Sequence, residues 1–214
     1  MPVNFYSLFL DLARIHANSE PIRRVLDSLS DAVTAARKTV DHAQANFAAE
    51  HYEALYEDES DVLESMVGTA SVAAQTQITG VISTLKRLHN YAARHEVALT
   101  TITGSKDAIM QLASSPLTGT TFTRIQVINA FANYFKHGDE WKTPWSNLNA
   151  LSQATAEIVE AAGGTENSSG NLRTGLKALG IVFDLLDCLH EEISKWAEAL
   201  VAIYKSELKA IGLL

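Results

Sequence analysis

From Val62 to His95 the chain runs for 34 residues without a proline, and Ile78, Val81, Ile82, Leu85 and Leu88 follow one another at intervals of three and four. That spacing returns to one side of an α-helix and to no side of a strand, so the segment predicts a long amphipathic helix. Gly68, Ala70, Ala73 and Ala74 add a face of small residues on which a second helix can pack closely. The start of this helix is open at the acidic stretch Glu57-Asp-Glu-Ser-Asp61. It reads either as a solvated turn or as a first turn entered at Ser60.

The same periodicity recurs elsewhere. Phe5, Leu8, Phe9 and Leu12 predict a short helix over 5–17. Ser19 and Pro21 open another that carries Ile22, Val25, Leu26, Leu29 and Val33 and runs towards residue 56, with Asn46-Phe47 as a candidate break. Ser105 caps a short helix reaching about Ala113. Phe122 to His137 reads as a helix with Phe122, Ile125, Ile128, Phe131 and Phe135 inward. Thr143-Pro144 opens one to about Ala162, and Asn171 caps a long final one to about Ile211. Gly163 to Gly170 is the clearest linker. No segment alternates as a half-buried strand; Thr100–Thr103 comes nearest. The expected fold is all-α: one domain, 1–214, forming an antiparallel bundle of about six or seven helices, two or three of them long.

Charge narrows the functions. The net charge is −8, and all 17 Lys and Arg lie outside the interval between Lys38 and Lys86. That interval holds Asp41, Glu50, Glu53, Glu57, Asp58, Glu59, Asp61 and Glu64. An acidic chain is a poor non-specific binder of nucleic acid, because such affinity comes from neutralising phosphates. The Glu50–Glu64 surface suits a basic protein partner, and the long amphipathic helices suit a homodimer seam. The single cysteine, Cys188, excludes an internal disulfide and reads as a small hydrophobe on a helix. With no signal-like N-terminus and no apolar run near 20 residues, a cytoplasmic protein without a membrane span is expected. Only His190 has an acid three residues before it, Asp187, so a di-iron pattern is absent and no metal or cofactor is expected.

Chemistry concentrates between Phe131 and Trp145, where five aromatic residues accompany a His, two Lys, two acids and an Asn. On the helix from Phe122, the residues Gln126, Asn129, Asn133 and His137 are spaced by three, four and four, forming one polar line beside the apolar one. An imidazole there can serve as general acid or base, and amides can orient a phosphate or a sugar. Tyr134, Trp141 and Trp145 could line an apolar small-molecule pocket. The competing structural reading is a helix end: Lys136 and His137 on the last carbonyls, then Gly138 as a left-handed cap, with both tryptophans folded into the core.

The segment Ala132-Asn133-Tyr134-Phe135-Lys136-His137 resembles the signature of HEPN-domain proteins. These are small all-α bundles, often dimeric, and many are ribonucleases of toxin–antitoxin, phage-defence or RNA-processing systems. Their motif is an Arg, commonly a polar residue such as Asn, a few variable residues, then His. Asn133 matches the polar position and His137 the general-base position. The resemblance implies an RNA or nucleotide ligand, metal-independent chemistry at His137 with Asn133 and Lys136 in support, and a prokaryotic setting. Ala132 occupies the position of the Arg that would hold the scissile phosphate. The implied ribonuclease is therefore degenerate or lost, unless Lys136, Arg87 or Arg94 replaces that Arg.

Overall fold

The computed structural model describes residues 13–15, 19–47, 49–101, 104–141, 144–166 and 168–212. Among these the chain forms seven α-helices: α1 Glu20–Asn46, α2 Ala49–Arg94, α3 Lys106–Gln111, α4 Arg124–His137, α5 Ala150–Ala161, α6 Asn171–Ala178 and α7 Asp187–Ala210. Two 3-10 turns, Gly138–Glu140 and Trp145–Asn147, lie between α4 and α5. The described residues contain no strand; the sole ladder contact is an isolated bridge between Pro116 and Thr123. The helix expected over 5–17 lies mostly outside the described residues, as do Ile102 and Thr103 of the strand candidate.

α1 and α2 pack side by side across the break at Phe47, which makes them an antiparallel hairpin. The break needs no Gly or Pro. Asn46 turns its side chain back to donate to the carbonyl of His42 at 2.8 Å, and Phe47 leaves in an extended conformation. α2 is longer than its apolar pattern suggested. The acids Glu57 to Asp61 lie inside it rather than in a turn, so it extends to 46 residues, about 69 Å at ~1.5 Å per residue. Its small face is used as expected: Ala70 and Ala74 are fully buried.

Three other boundaries moved. Asn149, not Thr143-Pro144, caps α5, accepting from the backbone N–H of Leu151 and Ser152. The expected final helix is two helices. It stops at Ala178, turns through Gly180 at φ +67, and restarts at Asp187. Asn171 does not cap it but points back into the preceding loop. Phe135, expected in the core, is 37% exposed and lies flat over Gly68 of α2.

α4 is the hub. It packs against α2, α3, α5, α6 and α7, and Ile125, Val127, Ile128, Ala130, Phe131 and Ala132 are all buried. Its start is fixed by a capping box. The Thr123 hydroxyl accepts from the Gln126 N–H, while Gln126 Oε1 accepts from the Thr123 N–H at 2.8 Å. No helix of the described residues is long and apolar enough to cross a membrane.

Candidate functional site

The polar line expected along α4 divides into three environments. Gln126 is buried and structural: besides the capping box, its Nε2 donates to Asp107 Oδ1 at 2.7 Å. Asn129 and Asn133 both turn towards α2, where Gln75 Nε2 donates to Asn129 Oδ1 at 2.9 Å and to Asn133 Oδ1 at 2.8 Å. His137 lies in the last turn, about half exposed, with its Nδ1 3.8 Å from Glu140.

Gln75 is the centre of this arrangement and is 8% exposed. Its Oε1 accepts from Lys136 Nζ at 2.7 Å, and Asn129 Oδ1 accepts from Lys106 Nζ at 2.8 Å. An ammonium can only donate, so the two lysines fix the amides. Lys136 demands the oxygen of Gln75, which turns Nε2 towards the asparagines; Lys106 demands the oxygen of Asn129. Asn133, with its oxygen on Gln75, is left with an Nδ2 that has no partner among the described residues. Burial, and then the charge of Lys136, push the Lys106 pKa below its ordinary value.

Next to this network, Asn133, His137 and Trp141 face Leu151, Ser152 and Thr155 of α5 across a cleft of about 140 Å³. Gly138 does not adopt the left-handed cap. It continues at φ −58 into the 3-10 turn, which carries Trp141 back over the end of α4. The Trp141 indole N–H is buried and has no hydrogen-bond partner among the described residues.

The other aromatics are packing. Tyr134, Trp141 and Trp145 meet edge to face, with ring centroids 5.4, 6.2 and 5.7 Å apart. Trp145 is buried, and its backbone N–H donates to Glu166. The Tyr134 hydroxyl accepts from Asn171 Nδ2 at 2.9 Å. Of the expected site residues, then, the structure brings Asn133, His137 and Trp141 together at the cleft, and Asn129, Asn133 and Lys136 together at Gln75. Gln126, Tyr134 and Trp145 line neither. Arg87 and Arg94 bond within their own helix, to Thr84 and to the Asn90 carbonyl.

Two members escaped the sequence reading. Gln75 was visible as a polar residue inside the small face of α2, and Lys106 as a cation at a helix start, where acids are favoured. Their meeting with α4 is tertiary. Elsewhere, Cys188 is half-buried and its thiol is pushed up, by burial first and then by Asp187 and Glu191, which suits the inert reading. Glu53, Glu57, Asp58 and Asp61 are exposed on α2, while Glu64 is taken into the fold by Arg173 and the Leu172 N–H. Among the described residues no group of three or more His, Cys, Asp or Glu is placed to hold a metal ion.

No protein family, curated protein or solved structure matches the chain.

Proposed function

We propose that the chain is a HEPN-like RNA- or nucleotide-binding protein that has lost cleavage chemistry, and that a base enters the cleft between α4 and α5. The observation that carries this reading is the composition of that cleft. An indole, an imidazole and an amide with a spare donor converge on a space below the ~300–1,000 Å³ of drug-sized sites, which suits one planar group. Unpaired bases are held by aromatic faces and by donors to their edges, and this cleft offers both.

Cleavage is disfavoured on electrostatic grounds. Ala132, in place of the Arg, is fully buried. Lys136 is engaged with Gln75 rather than with His137. Beside His137 lies Glu140, 3.8 Å from Nδ1, whose carboxylate repels a phosphate. A cytoplasmic homodimer of a prokaryotic defence, toxin–antitoxin or RNA-processing type belongs to this reading, and sedimentation equilibrium tests its dimeric part.

The direct test is fluorescence anisotropy with labelled single-stranded oligoribonucleotides, run beside a cleavage assay on the same RNA. Binding weakened by Trp141→Leu, with the RNA left intact by both wild type and His137→Ala, is expected. Hydrolysis that His137→Ala abolishes would overturn the loss of cleavage. Absence of binding to any single-stranded RNA or mononucleotide would overturn the whole reading.

A second reading draws on the exposed acids Glu53, Glu57, Asp58 and Asp61 along the first turns of α2, which suit a basic protein partner. Charge reversal at Glu57 and Asp58 that leaves capture of a basic partner unchanged would remove it.

A further inference from the structure

We infer that Lys106 and Lys136, bridged by Gln75 and Asn129, form a phosphate-binding site. The inference deepens the nucleotide reading by assigning its phosphate, and rests on that reading only for the rest of the ligand.

The argument begins with what the two ammonium groups lack. Each has three N–H donors. Lys106 gives one to Asn129 Oδ1, and Lys136 gives one to Gln75 Oε1. Neither forms an ion pair among the described residues. The nearest acid in sequence, Asp107, is turned away, accepting from Gln126 on one oxygen and from Gln111 on the other. In a chain of net charge −8 carboxylates are plentiful, yet none among the described residues pairs with either lysine.

Two like charges tied to one chain of amides repel each other. The depressed pKa of Lys106, caused by burial and then by Lys136, reflects this. The amides do not cancel it: Asn129 Oδ1 and Gln75 Oε1 carry only partial charges, and the first is already shared with Gln75 Nε2. An anion lying across both lysines would neutralise the pair and accept their spare N–H groups together.

The geometry selects the anion. A phosphate presents several oxygens in a compact tetrahedron, so it can accept from two point-like ammonium donors at once. Lysine binds phosphate in this manner, whereas planar carboxylates favour the fork of an arginine. Asn133 sets the position relative to the base cleft. Its Oδ1 belongs to the lysine-bearing network, and the same residue lines the cleft with His137 and Trp141. Asn133 thus adjoins both the lysine network and the cleft, so a ligand that carries a phosphate and a planar group can meet both beside this one residue.

The test uses the full chain and three probes: inorganic phosphate, adenosine 5′-monophosphate and a labelled oligouridylate. Phosphate and the monophosphate are expected to shift the side-chain amide resonances of Gln75 and Asn129, and Lys106→Met and Lys136→Met are each expected to abolish that shift. On the oligouridylate, each variant should weaken binding about tenfold and reduce the slope of log K against log salt by about 0.7 for the contact removed. Gln75→Glu is a second probe that keeps the shape of the core. Its carboxylate would neutralise the lysines from within, so phosphate binding should be lost; because the donor to Asn129 and Asn133 goes with Nε2, circular dichroism checks that the variant is folded.

Absence of phosphate-induced shifts in wild type, or a Gln75→Glu protein that binds phosphate as wild type does, overturns the inference. RNA binding with an unchanged salt slope in both lysine variants overturns it as well, while leaving the RNA reading in place. Phosphate or monophosphate binding without oligouridylate binding supports the inference and turns the ligand into a small phosphorylated molecule.

Discussion

Gly175 of α6 faces the ring of Phe131 on α4 so closely that a Cβ built on it would lie 2.6 Å from Cε2. Both residues are buried. Gly175→Ala must displace the ring or spread the two helices, and overpacking of this kind costs about 1–3 kcal/mol. The gain in helix propensity, about 1 kcal/mol, offsets part of that. Gly80 is the control. It lies inside α2 with nothing within 4 Å of its would-be Cβ, so Gly80→Ala should stabilise by about 0.5–1 kcal/mol. Urea titrations of the two variants should move in opposite directions.

Asn171 ties the loop before α6 to the aromatic cluster. It is 1% exposed, donates to the Thr165 carbonyl at 2.8 Å and to the Tyr134 hydroxyl at 2.9 Å, and accepts from the Thr165 N–H at 2.9 Å. Asn171→Ala strands buried polar partners and should destabilise by about 1–3 kcal/mol. Because Tyr134 touches Trp141 and Trp145, the tryptophan emission should shift in the native state, which distinguishes the variant from a remote core truncation.

Tyr204 carries a buried hydroxyl with no partner among the described residues. Burial, and then Glu207, push its pKa up to about 12 from an ordinary 10. The neutral phenol is favoured in the fold, so stability is intact below pH 10 and falls as pH rises from 10 towards 12, by on the order of 2 kcal/mol. Tyr204→Phe should be near neutral at pH 7, since no hydrogen bond is lost. It should also remove that part of the alkaline loss, which denaturation midpoints at pH 7 and pH 11 would measure.

Lys106 shifts in the opposite sense. Its folded pKa lies below the unfolded value, so its charge opposes folding at neutral pH, and this opposition fades as pH rises through the lowered folded value towards the ordinary 10.5. Lys106→Met should therefore raise Tm at pH 7, with the gap to wild type shrinking towards pH 10.5. A variant less stable than wild type at pH 7 would mean that the Asn129 contact outweighs the desolvation.

The all-α architecture was legible because its signal is local. Apolar spacing at three and four placed α1, most of α2, and α4, the Ser105 cap placed α3, and turn-prone residues marked the loop before α6. The failures also have local causes. Glu57 to Asp61 resemble a turn by composition, but acids tolerate a solvated helix face, and α2 passes through them. Gly180 sits alone in an apolar run, and a lone glycine does not announce a left-handed break between two helices. At the site, Asn133 and His137 could be picked out because they share one helix. Gln75 and Lys106 could not, because 54 residues separate Gln75 from Asn129 and 23 separate Lys106 from it. Only packing joins them.

α4 carries every α4-side group of both the cleft and the lysine network while being held by five other helices. Its amide hydrogens should therefore exchange with solvent only through global unfolding, slower than those of α1 and α5. A ligand meeting such a surface finds its donors already in position, and little chain motion is left to quench. Affinity would then be set by how well the ligand fits a fixed outline rather than by how readily the protein adapts, which favours selectivity for one ligand shape over breadth.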